Sequence, residues 1–220
     1  MIPLLVLTLL WLALHLLVAG TRLRGRLVAR LGEAVFRLVF SLASLLVFMA
    51  LIAAYRRSPL MVLWQVPAWL GWVLVAAMLP ACMLFVGSLM VPNPTAAGGE
   101  RVTTLRGMLH VTRHPMLWSF AIWGVVHMLA RGEASALLFF GAFALTALLG
   151  MPSIDMKLAR RDPARWALVA GRSTRGLRLA GLARVGWGAP LAGLALWVAL
   201  IALHPFATGL SPLPSGWVLL

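Results

Sequence analysis

Six apolar stretches alternate with short gaps that carry nearly all of the charge, and this alternation leaves the chain one solvent to fold in, the lipid bilayer. The stretches run over 2–20, 38–55, 68–91, 116–130, 134–151 and 187–203, each long enough, or nearly so, to cross ~30 Å of hydrocarbon. In hydrocarbon each backbone N–H and C=O must find its partner inside the segment, so the spacing predicts helices. The expected architecture is an all-α polytopic bundle of six transmembrane helices forming a single domain over 1–220. The apolar share, 62% of 220 residues, exceeds what one water-soluble core of this size would hide. The fourth stretch is short, and Thr112 to Pro115 are expected to extend its first turn, where proline is tolerated. The opening MIPLLVLTLLWLALHLLVAG has no basic segment before its apolar run and no small-residue cleavage site after it, so it reads as a retained span.

The charges fix an orientation. In a soluble domain, Lys+Arg 19 against Asp+Glu 5 would suggest nucleic-acid binding. Here the arginines sit in the gaps, which is the pattern of membrane topology and argues against a nucleic-acid partner. The first gap carries Arg22, Arg24, Arg26, Arg30 and Arg37, and the third Arg101, Arg106 and Arg113. The fifth carries Lys157, Arg160, Arg161, Arg165, Arg172, Arg175, Arg178 and Arg184. The second has Arg56 and Arg57 and the fourth Arg131, so alternate gaps hold 16 and 3 basic residues. The positive-inside rule then puts the odd gaps in the cytoplasm and both termini outside. Leu23, Leu27, Leu31, Val35 and Leu38 recur at helical spacing beside a stripe of Arg22, Arg26 and Arg30, so this gap is expected to lie as an interfacial helix on anionic lipid. In the fifth gap Asp162 is expected to cap a short helix opened by Pro163 and closed at Gly171, with Trp166 as an interface anchor.

Residues 90–100, MVPNPTAAGGE, form the clearest linker and divide the chain into two sets of three spans. Trp11, His15 and Gly20 in the first set recur at the same offsets as Trp123, His127 and Gly132 in the second. An odd number of spans per set reverses the second copy, which is the layout of an inverted repeat, with its axis expected between the two histidines. An imidazole in hydrocarbon is costly unless something satisfies it, and the bland alternative is a hydrogen bond to a neighbouring helix. A porphyrin fits the pattern otherwise, because imidazole is a common axial ligand of haem iron and the tryptophans offer flat apolar walls. In helices running opposite ways the two histidines differ in depth by roughly 12 Å, at ~1.5 Å per residue.

A second cluster, His110, Arg113, His114, Pro115 and Trp118, heads the fourth span. His110, His114 and Trp118 are expected on one helical face, with Arg113 and the helix N-terminus receiving an anion such as a propionate or phosphate. His204, before Pro205, reads as a solvated terminus, and the single cysteine, Cys82, as a packing residue. Glu33, Glu100, Glu133, Asp155 and Asp162 fall in gaps or at span edges, so no acid pair is placed mid-membrane for proton transfer. The chain contains no P-loop, GxSxG or HExxH sequence.

Several of these pieces together resemble the NnrU family of bacterial membrane proteins, associated with denitrification and related to plant zeta-carotene isomerase. They are His15, the run from Arg30 to Arg37 leading to Ser41 and Ser44, Arg113-His114-Pro115 with Trp118, and His127 followed by Gly132 and Phe140-Gly141. The resemblance covers about 2–160, while AGRSTRGLRLAG departs from the family's pattern near the last span. It implies a haem b protein of the bacterial inner membrane with histidine axial ligation. On the isomerase branch, reduction of the iron enables cis-to-trans rotation in a lipophilic polyene, which requires a redox partner. Carried onto this chain, His15 and His127 are the expected iron ligands, with Trp11, Trp123 and Trp118 around them, and His114 and Arg113 are the alternative ligand and propionate partner. The Arg113-His114-Pro115 triplet is also similar to one in isoprenylcysteine-type membrane methyltransferases, although Leu117 and Ser119 stand where a tyrosine and a glycine usually follow. A non-enzymatic membrane protein with structural histidines is the third reading.

Overall fold

The computed structural model describes residues 1–96, 99, 102 and 104–214. Part of the expected linker, including Gly98 and Glu100, and Arg101 of the third gap lie outside the described residues. Among the described residues eight α-helices account for every apolar stretch: α1 (Ile2–Leu12), α2 (Arg22–Leu31), α3 (Glu33–Arg57), α4 (Ala68–Met90), α5 (Pro115–Arg131), α6 (Ala134–Arg161), α7 (Pro163–Arg172) and α8 (Gly188–Thr208). Among the described residues the only extended pairing is an isolated bridge between Val62 and Glu133.

Local chemistry sets the ends. α1 continues into a π-helical turn over Ala13–Val18 that carries His15, a rare geometry often found where a helix serves a function. Thr21 then accepts from the Leu23 N–H at 3.2 Å and opens α2, which leaves the first helix at 79°. That bend is what a helix lying along the membrane surface needs, and it carries the arginine stripe with it. Gly32, at φ +81°, turns the chain into α3. Asp162 caps α7 through the Arg165 N–H at 3.0 Å, as its sequence predicts. α5 begins at Pro115 and is not extended back to Thr112: residues Gly107–His110 make a separate 3-10 turn, so His110 does not share a helical face with Trp118.

Four helices, α3, α4, α6 and α8, are long and apolar enough to cross a membrane, and the bent α1–α2 pair makes a fifth candidate. α5 has 17 residues, about 26 Å of helix, and falls short of the hydrocarbon thickness by that measure. The described chain is thus an all-helical protein with four to five candidate membrane spans.

The α5–α6 hairpin is the seam of the bundle. α1 and α3 pack on α6, while α4 packs on both α5 and α8. Lipid offers no hydrophobic drive between helices, so close approach of backbones must hold such pairs together. A Cβ on Gly124 would fall 2.8 Å from the Phe140 carbonyl oxygen, and one on Gly193 would fall 2.5 Å from Met83 Cα. These two glycines set how near α5 lies to α6, and α8 to α4.

Candidate functional site

The repeated Trp–His pairs sit on helices that run opposite ways. α1 is parallel to α6: the Thr8 hydroxyl donates to Leu138 O, Trp11 Nε1 donates to Thr146 Oγ1 at 3.0 Å, and Ser153 Oγ donates to Gly20 O. α5 is antiparallel to α6, because His127 faces Phe140 while Leu117 lies near Gly150. The tryptophans meet, and the histidines do not. Trp11 and Trp123 both pack against Phe143, with ring centroids at 4.7 and 5.6 Å. Each histidine follows its tryptophan by one turn in opposite directions, which puts the imidazoles roughly 12 Å apart along the bundle. Trp11 and Trp123 thus share Phe143 as a neighbour, from α1 and α5, which run opposite ways.

Both imidazoles are prepared in the same way. His15 Nδ1 hydrogen-bonds the Trp11 carbonyl at 3.0 Å, and His127 Nδ1 the Trp123 carbonyl at 2.8 Å. With Nδ1–H donating to a carbonyl, Nε2 carries the lone pair, and neither Nε2 has a hydrogen-bond partner among the described residues. His15 stacks on Trp11 at 4.0 Å and meets Phe40 edge-on at 5.4 Å. His127 instead lines a cavity of about 440 Å³.

That cavity lies where α5 and α8 end and α4 begins. Its walls are largely apolar, with Trp123, Trp197, Leu74, Met78 and the buried Cys82 among them. Arg131 also lines it: one guanidinium nitrogen pairs with Glu133 at 2.6 Å, while Nε is buried with no partner among the described residues. His204, read from the sequence as a solvated terminus, is a wall of the same cavity. Its ring centroid is 6.4 Å from that of His127, with the planes 31° apart.

The Arg113–His114 cluster is a different object. The anion expected at Arg113 is supplied by the chain itself, as Asp155 on α6. Arg113 donates to Asp155 through Nε at 3.1 Å and Nη2 at 2.8 Å, His114 Nε2 lies 2.7 Å from Oδ1, and Arg175 Nε donates at 2.7 Å. The remaining Arg113 nitrogen donates to Ser173 O at 3.1 Å, and the guanidinium stacks over Trp166 at 5.2 Å. His114 is fully buried, and its Nδ1 has no partner among the described residues. Trp118 Nε1 donates to Arg175 O at 2.8 Å, so it faces the hub and is not a wall of the cavity. Residues 173–178, inside the AGRSTRGLRLAG segment that departs from the family's pattern, clasp this hub, with Thr112 and Val111 bonded to them as well.

Sequence reading missed Asp155, Arg131 and His204. A signal for His204 existed: His127 and His204 each stand one turn before the end of a helix. No curated protein and no solved structure matches the chain. A family model described as NnrU protein matches residues 3–212. With nearly the whole chain inside that match, this protein belongs to the NnrU family.

Proposed function

We propose that this protein binds haem b within the membrane, with His127 as an iron ligand in the cavity between α4, α5 and α8. The observation that carries the reading is the His127 imidazole, tied at Nδ1, open at Nε2 and set in an apolar wall of adequate size for a flat ligand. Among the described residues no three metal-ligating side chains come together, so a ligand that brings its own equatorial nitrogens suits the donor set better than a bare cation. Trp123 and Trp197 supply flat apolar surface for a macrocycle, and Arg131 brings a guanidinium to the cavity wall for a propionate. A bound haem supplies reversible one-electron chemistry; the protein's part is to hold the imidazole orientation and to exclude water from the iron.

In this reading α5 is a sixth, short crossing, the arginine-rich gaps face the cytoplasm, both termini lie outside, and the membrane is the bacterial inner membrane. The two sets of three helices are then oppositely oriented, with the Trp11–Phe143–Trp123 contact at their shared centre. The activity class is redox-gated cis–trans isomerisation of a lipophilic polyene, or handling of nitrogen oxides in denitrification, with electrons from a separate partner. Arg113 and His114 are both engaged by Asp155, which disfavours the methyltransferase reading, where that triplet would hold a methyl donor. Protein purified in detergent from haem-replete cells is expected to show a Soret band and a haem b haemochrome near one per chain. A colourless preparation that also fails to take up added haemin overturns the proposal.

A further inference from the structure

We infer that the chain carries a second site, apart from the cavity of His127, in which Arg172, Arg178 and Arg184 bind the phosphate of an anionic phospholipid headgroup. The three guanidiniums and the His110 imidazole line one cavity of about 160 Å³, well above the ~10–15 Å³ that a single water needs. They come from separate pieces of chain. Arg172 ends α7, Arg178 belongs to the clasp over 173–178, Arg184 ends a 3-10 turn over Leu179–Arg184, and His110 ends the turn over Gly107–His110. The backbone holds these pieces in place: the Arg178 N–H donates to Val111 O and the Arg113 N–H to Thr174 O, both at 2.9 Å. Gly181 comes so close to the other turn that an added Cβ would fall 2.1 Å from the His110 carbonyl oxygen. Each described carboxylate is engaged elsewhere: Asp155 by Arg113, His114 and Arg175, Glu33 by Arg24 and Arg37, Glu133 by Arg131, and Asp162 at the cap of α7. The guanidiniums of Arg172, Arg178 and Arg184 have no hydrogen bond or ion pair among the described residues. Three like charges converging on one cavity repel one another, and an anion with several acceptor oxygens offsets that repulsion by accepting from more than one of them. The surroundings select a lipid over a soluble phosphate. Leu179 and Leu182 in the same turn, and Trp187 just after it, are exposed, and α8, a candidate membrane span, starts at Gly188. At that point apolar side chains have acyl chains for solvent while the arginines stand at headgroup depth. The site is independent of haem binding.

The experiment uses the full-length protein in a neutral detergent, with phosphatidylglycerol, phosphatidylcholine and inorganic phosphate as probes. Retained lipid is counted by native mass spectrometry, and affinity is read by titrating each probe against the thermal unfolding midpoint. Wild type is expected to hold one phosphatidylglycerol in preference to phosphatidylcholine. The variant Arg172→Gln/Arg178→Gln/Arg184→Gln is expected to bind it roughly hundredfold more weakly, at about fivefold per arginine near a headgroup. Its midpoint without lipid is expected to match wild type, since none of the three side chains bonds within the described chain. A control of equal charge loss on α2, Arg22→Gln/Arg26→Gln/Arg30→Gln, is expected to keep the bound lipid. If the triple variant does not fold, Arg172→Gln/Arg184→Gln makes the same test with an expected loss of roughly twentyfold. Equal affinity of wild type for the two lipids, or equal loss in the pocket and α2 variants, overturns the site. Inorganic phosphate that displaces the lipid and raises the midpoint as far, at matched ionic strength, overturns the lipid assignment in favour of a soluble phosphate.

Discussion

Arg113 and Asp155 are joined by two parallel hydrogen bonds, at 3.1 and 2.8 Å, between the approach to α5 and the far end of α6, and both side chains are almost wholly buried. A carboxylate in that position is stable only because its cations are there. Removing one partner of such a pair leaves an uncompensated buried charge, which costs about 3–5 kcal/mol. Asp155→Ala, which strands Arg113 and frees His114, is therefore expected to lower the thermal unfolding midpoint in detergent far more than Glu33→Gln. Glu33 pairs with Arg24 and Arg37 at a solvent-accessible site, where ion pairs contribute about 0–1 kcal/mol. Equal, small shifts for the two variants would show that the hub is not a determinant of stability.

Gly132 ends α5 at φ +61°, and its carbonyl accepts from the Leu63 and Trp64 N–H groups at 2.7 and 3.2 Å. A Cβ there would stand 2.2 Å from the Trp64 carbonyl oxygen. Strain and clash add, so Gly132→Ala is expected to destabilise by about 1–3 kcal/mol. It should also loosen the 58–67 strap, detected as faster proteolysis near Trp64. Unchanged melting and proteolysis would count against that close approach.

Arg131 brings a guanidinium donor to the cavity wall, one nitrogen of it paired with Glu133 at 2.6 Å. If a propionate takes that donor, Arg131→Gln removes a charge-assisted hydrogen bond of about 1.5–3 kcal/mol and weakens haemin binding by roughly tenfold or more. The spin state should not change, since no axial ligand is touched. Haemin titration of the variant checks this, and an unaltered affinity would remove Arg131 from the site.

The arginine pattern makes a prediction independent of any cofactor. On the proposed orientation, in which α8 would deliver the C-terminal end to the outside, a fluorescent-protein fusion after residue 214 is expected to stay dark and an alkaline phosphatase fusion to be active. The same pair of reporters placed after Arg172 should give the opposite result. Fluorescence from the C-terminal fusion would invert the topology.

The helices were largely legible in the sequence, as were the bend after the first span and the cap at Asp162, although α6 runs on to Arg161, well past the expected 151. The reason is that lipid forces each backbone to satisfy itself locally, so length, hydropathy and capping residues carry the information. Even there local reading overreached at Thr112 and His110, because a 3-10 turn at 107–110 ends the approach to α5 before the helix begins. What faces what was not legible, since it depends on non-local contacts. The Trp–His repeat is visible in one dimension, yet antiparallel helices bring the tryptophans together at Phe143 and carry the histidines apart. The anion for Arg113 is 42 residues further along the chain, and the neighbour of His127 is on the last helix. The sequence by itself determined that this chain is a set of membrane helices with a sided charge. The tertiary structure decided which imidazoles share a cavity and which charge neutralises which, because those contacts join residues far apart in the chain.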